Sequence, residues 1–276
     1  MPSHVYAIAG ASRGLGLQFV IDLLARGDIV VAIARNPDRA EELQKLVKLQ
    51  DEKNESEKKL FVVKGDIADT ASMEAAANET AKLVPGGAID VLINNAAYMH
   101  AATIHKNTII DYSTPALISE MTQSFQTNIL GPIITTNVFL PLLRNGSLKK
   151  VITLNTGLSD PQLTLKGGLG NTVTYSVTKS ALEMVNVKYA VALKDEGFTF
   201  LDISPGVVNT AIAPPSEEEL NDIMKTFARF KSVYPEWSGI PMTPAESVKL
   251  MLDIMDNSSV EDSGKFVSHK NNREWL

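Results

Sequence analysis

Tyr175 and Lys179 stand four residues apart in the run Tyr-Ser-Val-Thr-Lys. On a helix that rises about 1.5 Å and turns about 100° per residue, such a pair shares one face, one turn apart. A phenol can give a proton to a carbonyl oxygen or take one from an alcohol. Its ordinary pKa is about 10, and a neighbouring cation favours the phenolate, so Lys179 would bring the group closer to working pH. Counted from Tyr175, the apolar residues Val177, Ala181, Met184 and Val185 fall between roughly 180° and 280°, whereas Lys179 falls near roughly 40°. The periodicity therefore predicts a core-facing stripe on one side and the polar pair on the other. A tyrosine and a lysine at this spacing also occur on plain solvated helix faces, so the rest of the chain must decide.

A second chemical signal lies near the start. The apolar run Val5–Ala9 ends in Gly10-Ala11-Ser12-Arg13-Gly14-Leu15-Gly16, after which Leu17, Val20, Ile21 and Leu24 recur at helical spacing. A glycine turn between a strand and a helix suits a dinucleotide phosphate: the backbone can approach closely, and the helix start offers free N–H groups. The next apolar run, Ile29–Ala34, is followed by Arg35-Asn36 and no carboxylate. An acid at that place would hold the ribose hydroxyls of NAD. Arg35, with Arg13 in the glycine turn, would instead meet a 2′-phosphate, which predicts NADP(H). The alternative is that Arg35 simply faces solvent.

These residues need a scaffold. Apolar runs at Val5–Ala9, Ile29–Ala34, 60–63, 89–93, Lys150–Leu154 and 198–203, with a short one near Phe266, alternate with helical patterns. Such a pattern predicts one doubly wound α/β domain over residues 1–276, with a mostly parallel seven-stranded sheet covered by helices on both faces. A polar helix opens at Pro37-Asp38 and carries Leu43, Leu46 and Leu49. The mixed-charge stretch 51–59 reads as a solvated helix end and loop. A long helix is predicted over 115–143 with a kink at Gly131-Pro132. The stretch leading to Tyr175 reads as irregular, and 211–240 as a mobile substrate flap.

Composition bounds the partners. The 276 residues are 44% hydrophobic and 21% charged, with 26 basic against 32 acidic side chains, a net charge of −6. No basic block suggests nucleic acid or a lipid surface, and no apolar run of about 18 residues suggests a membrane span. The chain has no cysteine, so thiolate chemistry is excluded. Its four histidines lack ligand spacing, and no metal is expected. A cytoplasmic protein is the expectation.

The glycine turn, Asp66, Asn94-Asn95-Ala96-Ala97, Asn128, Tyr175-x-x-x-Lys179 and Pro205-Gly206 occur in an order and at spacings that resemble the short-chain dehydrogenase/reductase family, its carbonyl reductases included. The resemblance spans essentially the whole chain. It implies a Rossmann fold and an NADP-dependent oxidoreductase that reduces a ketone or aldehyde to an alcohol, or the reverse, with Tyr175 as general acid/base. Lys179 would lower the phenol's pKa and hold the nicotinamide ribose, and Asn128 would hold a water in the proton relay. The cofactor would lie against Gly10, Ser12, Arg13, Gly14, Leu15, Gly16, Arg35, Asp66, Ile67, Asn94, Ala96, Tyr175, Lys179, Pro205, Gly206, Val208 and Thr210. Asp66 would meet the adenine and Thr210 the carboxamide. The family also implies a homodimer or homotetramer paired through the 115–143 and Tyr175 helices.

Two positions depart from the family pattern. Ala97 stands where the family has glycine, and the catalytic serine is missing from the end of the fifth strand. There the chain reads Asn155-Thr156-Gly157, with Thr156 lying 19 residues before Tyr175. Thr156 keeps a hydroxyl at the strand end, and Ser159 is its rival. An apolar pocket for the substrate is expected from Tyr98 to His105, from 158–174 and from Ala211 to Trp237. Other uses of the fold remain open: a non-redox cyclase or isomerase step in a biosynthetic pathway, or a cofactor-binding protein without turnover.

Overall fold

The structure, a computed structural model, describes residues 3–51, 58–100 and 103–276. Seven strands form one sheet: β1 (Val5–Ala9), β2 (Ile29–Ala34), β3 (Leu60–Lys64), β4 (Val91–Asn94), β5 (Lys150–Leu154), β6 (Thr199–Ser204) and β7 (Phe266–Ser268). Every pairing is parallel, in the order β3-β2-β1-β4-β5-β6-β7. The order reverses between β1 and β4. In such sheets the crevice beyond the carboxyl ends of the strands at that switch point is where ligands bind.

Parallel strands are covered on both faces, so their side chains are apolar in both directions. On one face Tyr6, Ile8, Ala32, Ile152 and Ile203 pack with α1 (Gly14–Arg26), α2 (Glu41–Asp51) and α9 (Pro244–Asn257). On the other, Ala7, Val31, Leu92, Val151 and Phe200 pack with α3 (Thr70–Leu83) and α5 (Gly131–Asn145). Phe139, Phe198 and Phe200 have no exposed surface there. Burial of each stabilises the fold by about 1.5–3 kcal/mol. α4 (Thr114–Phe125) and α7 (Val173–Ala192) complete this layer around the site.

Several elements differ from the sequence reading, each for a local reason. Pro37–Arg39 forms a separate 3-10 turn, and α2 starts only at Glu41. The long helix is continuous but contains one π turn, Gln126–Leu130, where the Gly131 N–H bonds the Gln126 carbonyl. Pro132 has no N–H to offer the Asn128 carbonyl, and the ladder widens just before it, at the place where the sequence puts a kink. The stretch before Tyr175 contains a short 3-10 turn and α6 (Pro161–Gly167), capped by Asp160. The expected flap holds α8 (Glu217–Val233), started by a reciprocal cap between Ser216 and Glu219. Of the stretch 51–59, residues 52–57 lie outside the described residues, as do Ala101 and Ala102 of the expected substrate segment.

The stripe predicted for α7 is reversed. Val177 and Met184 are exposed, as is Ala181, whereas Thr174, Thr178, Lys179, Leu182 and Asn186 are buried. Periodicity finds the apolar side of a helix, but here the inward side carries the polar chemistry and the apolar side faces out.

Candidate active site

The glycine turn follows β1 and crosses the switch point. Gly10 and Gly14 lie at φ +90° and +58°, and a Cβ on Gly16 would stand 2.1 Å from the Gly10 carbonyl oxygen, so no side chain fits at Gly16. The turn is held from beneath by the residues that follow β4: Asn95 Nδ2 donates to the Gly10 carbonyl at 2.7 Å, and the Ala96 N–H to the Ala9 carbonyl at 2.9 Å. Asn95 was not singled out from the sequence, although its place in Asn-Asn-Ala-Ala was the available signal. Beside it Asn94 is buried, its amide donating to Thr136 Oγ1 at 3.2 Å while Oδ1 has no partner among the described residues.

The start of α1 carries no side-chain cap and no acidic residue in its first turn, so its N–H groups stay available to an anion. A cleft of about 720 Å³ opens beside it, lined by Ser12, Arg13, Gly14, Arg35, Asn36, Arg39 and Thr210. It thus gathers three guanidinium-bearing residues. Arg39, from the turn after β2, escaped the sequence reading because no motif marks it. Glu41 and Glu42 border the same cleft, and Glu42 is paired with Lys45 at 2.6 Å. Free N–H groups, positive-φ glycines and clustered arginines fit a dinucleotide that carries an extra phosphate.

The remaining residues expected to meet a cofactor cap the carboxyl ends of neighbouring strands. Asp66 Oδ1 accepts the Ala68 N–H at 3.1 Å in the turn after β3, and Ile67 packs against Gly131. Leu15 packs into the core beneath the turn. Gly206 follows Pro205 at φ +79°, pressed by Met242 and His269. Val208 bridges to Met242, and Thr210 lies against Gly14.

α7 stitches the catalytic candidates together. Lys179 Nζ donates to the Leu154 carbonyl at 2.6 Å, and Asn155 Nδ2 donates to the Lys179 carbonyl at 3.1 Å. Both bonds fix the helix to the end of β5, next to Thr156. From the other side Asn128 Nδ2 donates to Thr178 Oγ1 at 3.1 Å. The widened turn holds Asn128 there, and its amide also makes a two-way pair with the backbone of Tyr98, at 2.7 and 3.0 Å. Thr156 is half-buried and its Oγ1 accepts the Leu158 N–H at 3.2 Å, whereas the buried Ser159 hydroxyl donates back to the Thr156 carbonyl at 2.7 Å. The Ser159 hydroxyl is thus committed to its own turn.

Electrostatics differ from the sequence expectation at one point. Burial pushes the Tyr175 phenol up to about 12, and burial brings Lys179 down to about 8. The ammonium stands 5.9 Å from the centre of the Tyr175 ring. Desolvation dominates the phenol's titration here, and the phenol holds its proton at neutral pH.

The segments expected to form an apolar pocket spend much of that surface on each other. Leu163, Leu169 and Phe230 pack with Phe266 and Trp275 in a satellite core, joined by Leu158, Phe227 and Trp237. Trp275 lies over Gly157, where a Cβ would come within 2.5 Å of it, and its Nε1 donates to Asp160 Oδ2 at 2.7 Å. The C-terminal tail therefore clamps the turn after Thr156, a contact with no local sequence signal.

Glu120 was also missed. This buried carboxylate on α4 accepts from Thr174 Oγ1 (2.7 Å), Thr103 Oγ1 (2.8 Å) and Tyr112 OH (3.1 Å), joining the loop after β4 to the first turn of the Tyr175 helix. Glu120→Ala would leave three donors without their acceptor and is expected to lower stability by about 1–3 kcal/mol. Urea midpoints would check this, with Glu120→Gln, which keeps one acceptor oxygen, expected to lose less. Equal midpoints for wild type and Glu120→Ala would refute the role.

Among the described residues no group of three or more His, Asp or Glu could hold a metal ion, and no helix is long and apolar enough to cross a membrane. A family model described as short chain dehydrogenase matches residues 4–221. The short-chain dehydrogenase/reductase AacuF of Aspergillus aculeatus is 36% identical over 279 residues, covering 100% of both chains. The short-chain dehydrogenase/reductase atnB of an Arthrinium species is 35% identical, covering 98% of this chain and 99% of its own. Among solved structures, an NADPH-bound carbonyl reductase from chicken fatty liver is 26% identical with a TM-score of 0.77, covering 99% of this chain and 98% of its own. The carbonyl reductase Sniffer of D. melanogaster, at 20% identity, shares the fold with a TM-score of 0.75 and 98% coverage of both chains.

Proposed function

Since the chain belongs to the short-chain dehydrogenase/reductase family and is an oxidoreductase of that kind, we propose that it interconverts a ketone or aldehyde and its alcohol with NADP(H), using Tyr175 as general acid/base. The observation that carries this reading is the way α7 is tied to the end of β5: Lys179 on the Leu154 carbonyl and Asn155 on the Lys179 carbonyl, with Thr156 next in the chain. The cofactor when bound supplies or accepts hydride at the substrate carbon. The chain's own residues handle the proton and the orientation. Tyr175 gives its proton to the carbonyl oxygen in reduction, and the Thr156 hydroxyl orients that oxygen. Lys179 provides positive charge beneath the phenol, and Asn128 fixes the loop at Tyr98 against α7.

For the cofactor, the glycine turn and the start of α1 would cradle the pyrophosphate, and Arg13, Arg35 and Arg39 would meet a 2′-phosphate. The NADPH bound to the chicken carbonyl reductase supports the same choice. Pairing into a homodimer or homotetramer belongs to this reading, supported by the outward apolar residues Ile118 and Phe125 on α4 and Val177 and Met184 on α7.

Loss of NADPH absorbance with a panel of ketones, aldehydes and quinones tests the proposal, with NADH run in parallel. Turnover of at least one carbonyl class with a clear preference for NADPH is expected. Absence of turnover across the panel would remove the redox reading, and equal use of NADH would remove the cofactor choice.

A further inference from the structure

The turn that carries Thr156 is short and leans on its neighbours. Thr156 caps a 3-10 turn over Gly157–Ser159, with its own N–H on Asn155 Oδ1 at 2.9 Å and the Gly157 N–H on Ser204 Oγ at 3.1 Å. The Ser159 and Asp160 N–H groups reach back to the Thr156 and Gly157 carbonyls, each at 3.0 Å. Bonds in a 3-10 turn have poor geometry, so its shape depends on what packs against it.

That shape sets the direction of the Thr156 hydroxyl. Its Oγ1 accepts the Leu158 N–H, while its own hydrogen goes to no acceptor among the described residues. A threonine hydroxyl has one O–H to donate. With a lone pair tied to the turn, that hydrogen is available to a substrate's carbonyl oxygen, and a turn that shifts carries it away.

Trp275 braces the turn at both ends. Its side chain lies against Gly157, whose φ is not in the left-handed region, so the close approach of Trp275 and not the backbone requires glycine there. At the far end Nε1 donates to Asp160 Oδ2 at 2.7 Å, while Asp160 Oδ1 accepts the Gln162 N–H at 2.8 Å and starts α6. The indole is itself fixed. It is buried, its ring centre lies 4.6 Å from that of Phe266 on β7, and the Arg273 guanidinium stands 5.3 Å from it. Its backbone N–H donates to Tyr234 OH, just after α8, at 3.4 Å.

We propose that Trp275 is a positioning residue for Thr156, holding the turn after β5 in the shape that aims the threonine hydroxyl at the substrate oxygen. The proposal rests on the reading of Thr156 as the group that orients that oxygen. It gives the segment after β7, remote in sequence from every motif of the site, a part in the reaction.

Rates with NADPH and whichever ketone, aldehyde or quinone of the panel turns over fastest test it. Trp275→Phe keeps a ring against Gly157 but loses the bond to Asp160, and kcat is expected to fall roughly two- to tenfold. Gly157→Ala leaves the tail intact but wedges a methyl between turn and indole, and is expected to cost roughly 10- to 100-fold. The Kd of NADPH should match the wild type in both. Backbone amides of 156–160 should exchange with deuterium faster in Trp275→Phe. In a Thr156→Val background, where no hydroxyl remains to be aimed, Trp275→Phe should lower kcat no further; a purely structural role would lower it by the same factor in both backgrounds. Circular dichroism would establish folding, and Trp275→Phe decides alone should Gly157→Ala not fold. Wild-type kcat in Trp275→Phe, unaltered exchange at 156–160, or equal losses with and without the Thr156 hydroxyl would each overturn the proposal. Thr156→Val separates the two levels: full turnover there overturns the reading of Thr156 and this proposal with it, whereas an impaired Thr156→Val beside an unimpaired Trp275→Phe overturns the bracing alone.

Discussion

Tyr175→Phe is expected to cut turnover by roughly 10²- to 10⁴-fold, the contribution of a positioned general acid, while leaving the binding of NADPH nearly unchanged. The phenol makes no hydrogen bond that holds the fold among the described residues, and its ring stays in place in phenylalanine. The loss therefore belongs to the proton and not to packing. Steady-state rates together with a fluorescence titration of the cofactor would measure both parts. A variant that retained turnover would show that another group supplies the proton.

The second large effect concerns the cofactor. Arg35→Ala is expected to weaken NADPH by roughly 10- to 150-fold, corresponding to about 1.5–3 kcal/mol for a charge-assisted bond to a phosphate. NADH, which offers nothing to that guanidinium, should change little. Dissociation constants for both reduced cofactors in wild type and variant decide it. A uniform loss for the two would mean that Arg35 acts on the shape of the cleft. No effect on either would return Arg35 to solvent and leave Arg13 and Arg39 as the phosphate contacts.

What the sequence made legible follows from how local each signal is. The strands are short apolar runs closed by turn residues, and all seven lie where those runs fall, because a strand buried on both faces needs no partner to be recognised. The glycine turn was equally plain, since its residues are contiguous. Asp202 was not, because one acid inside Phe-Leu-Asp-Ile-Ser barely disturbs an apolar run and its partner Asn186 lies on α7. Glu120 and Trp275 gain their roles only from partners brought together by the fold. The outward stripe of α7 misled for a related reason. Hydrophobic periodicity assumes that the greasy side of a helix is the inner one, and around a polar site that assumption inverts.

The widened turn Gln126–Leu130 has a bearing on how this chain should be compared with others. A single surplus residue there is absorbed inside a helix, with no loop to betray it. Residues on either side are out of phase by about 100° relative to a regular α-helix. A relative lacking that residue would align with a gap in the middle of a helix, where gaps are usually distrusted. Shifting the gap to the nearest loop would slide Asn128 off its counterpart and rotate the whole of α4, Glu120 included, onto the wrong face.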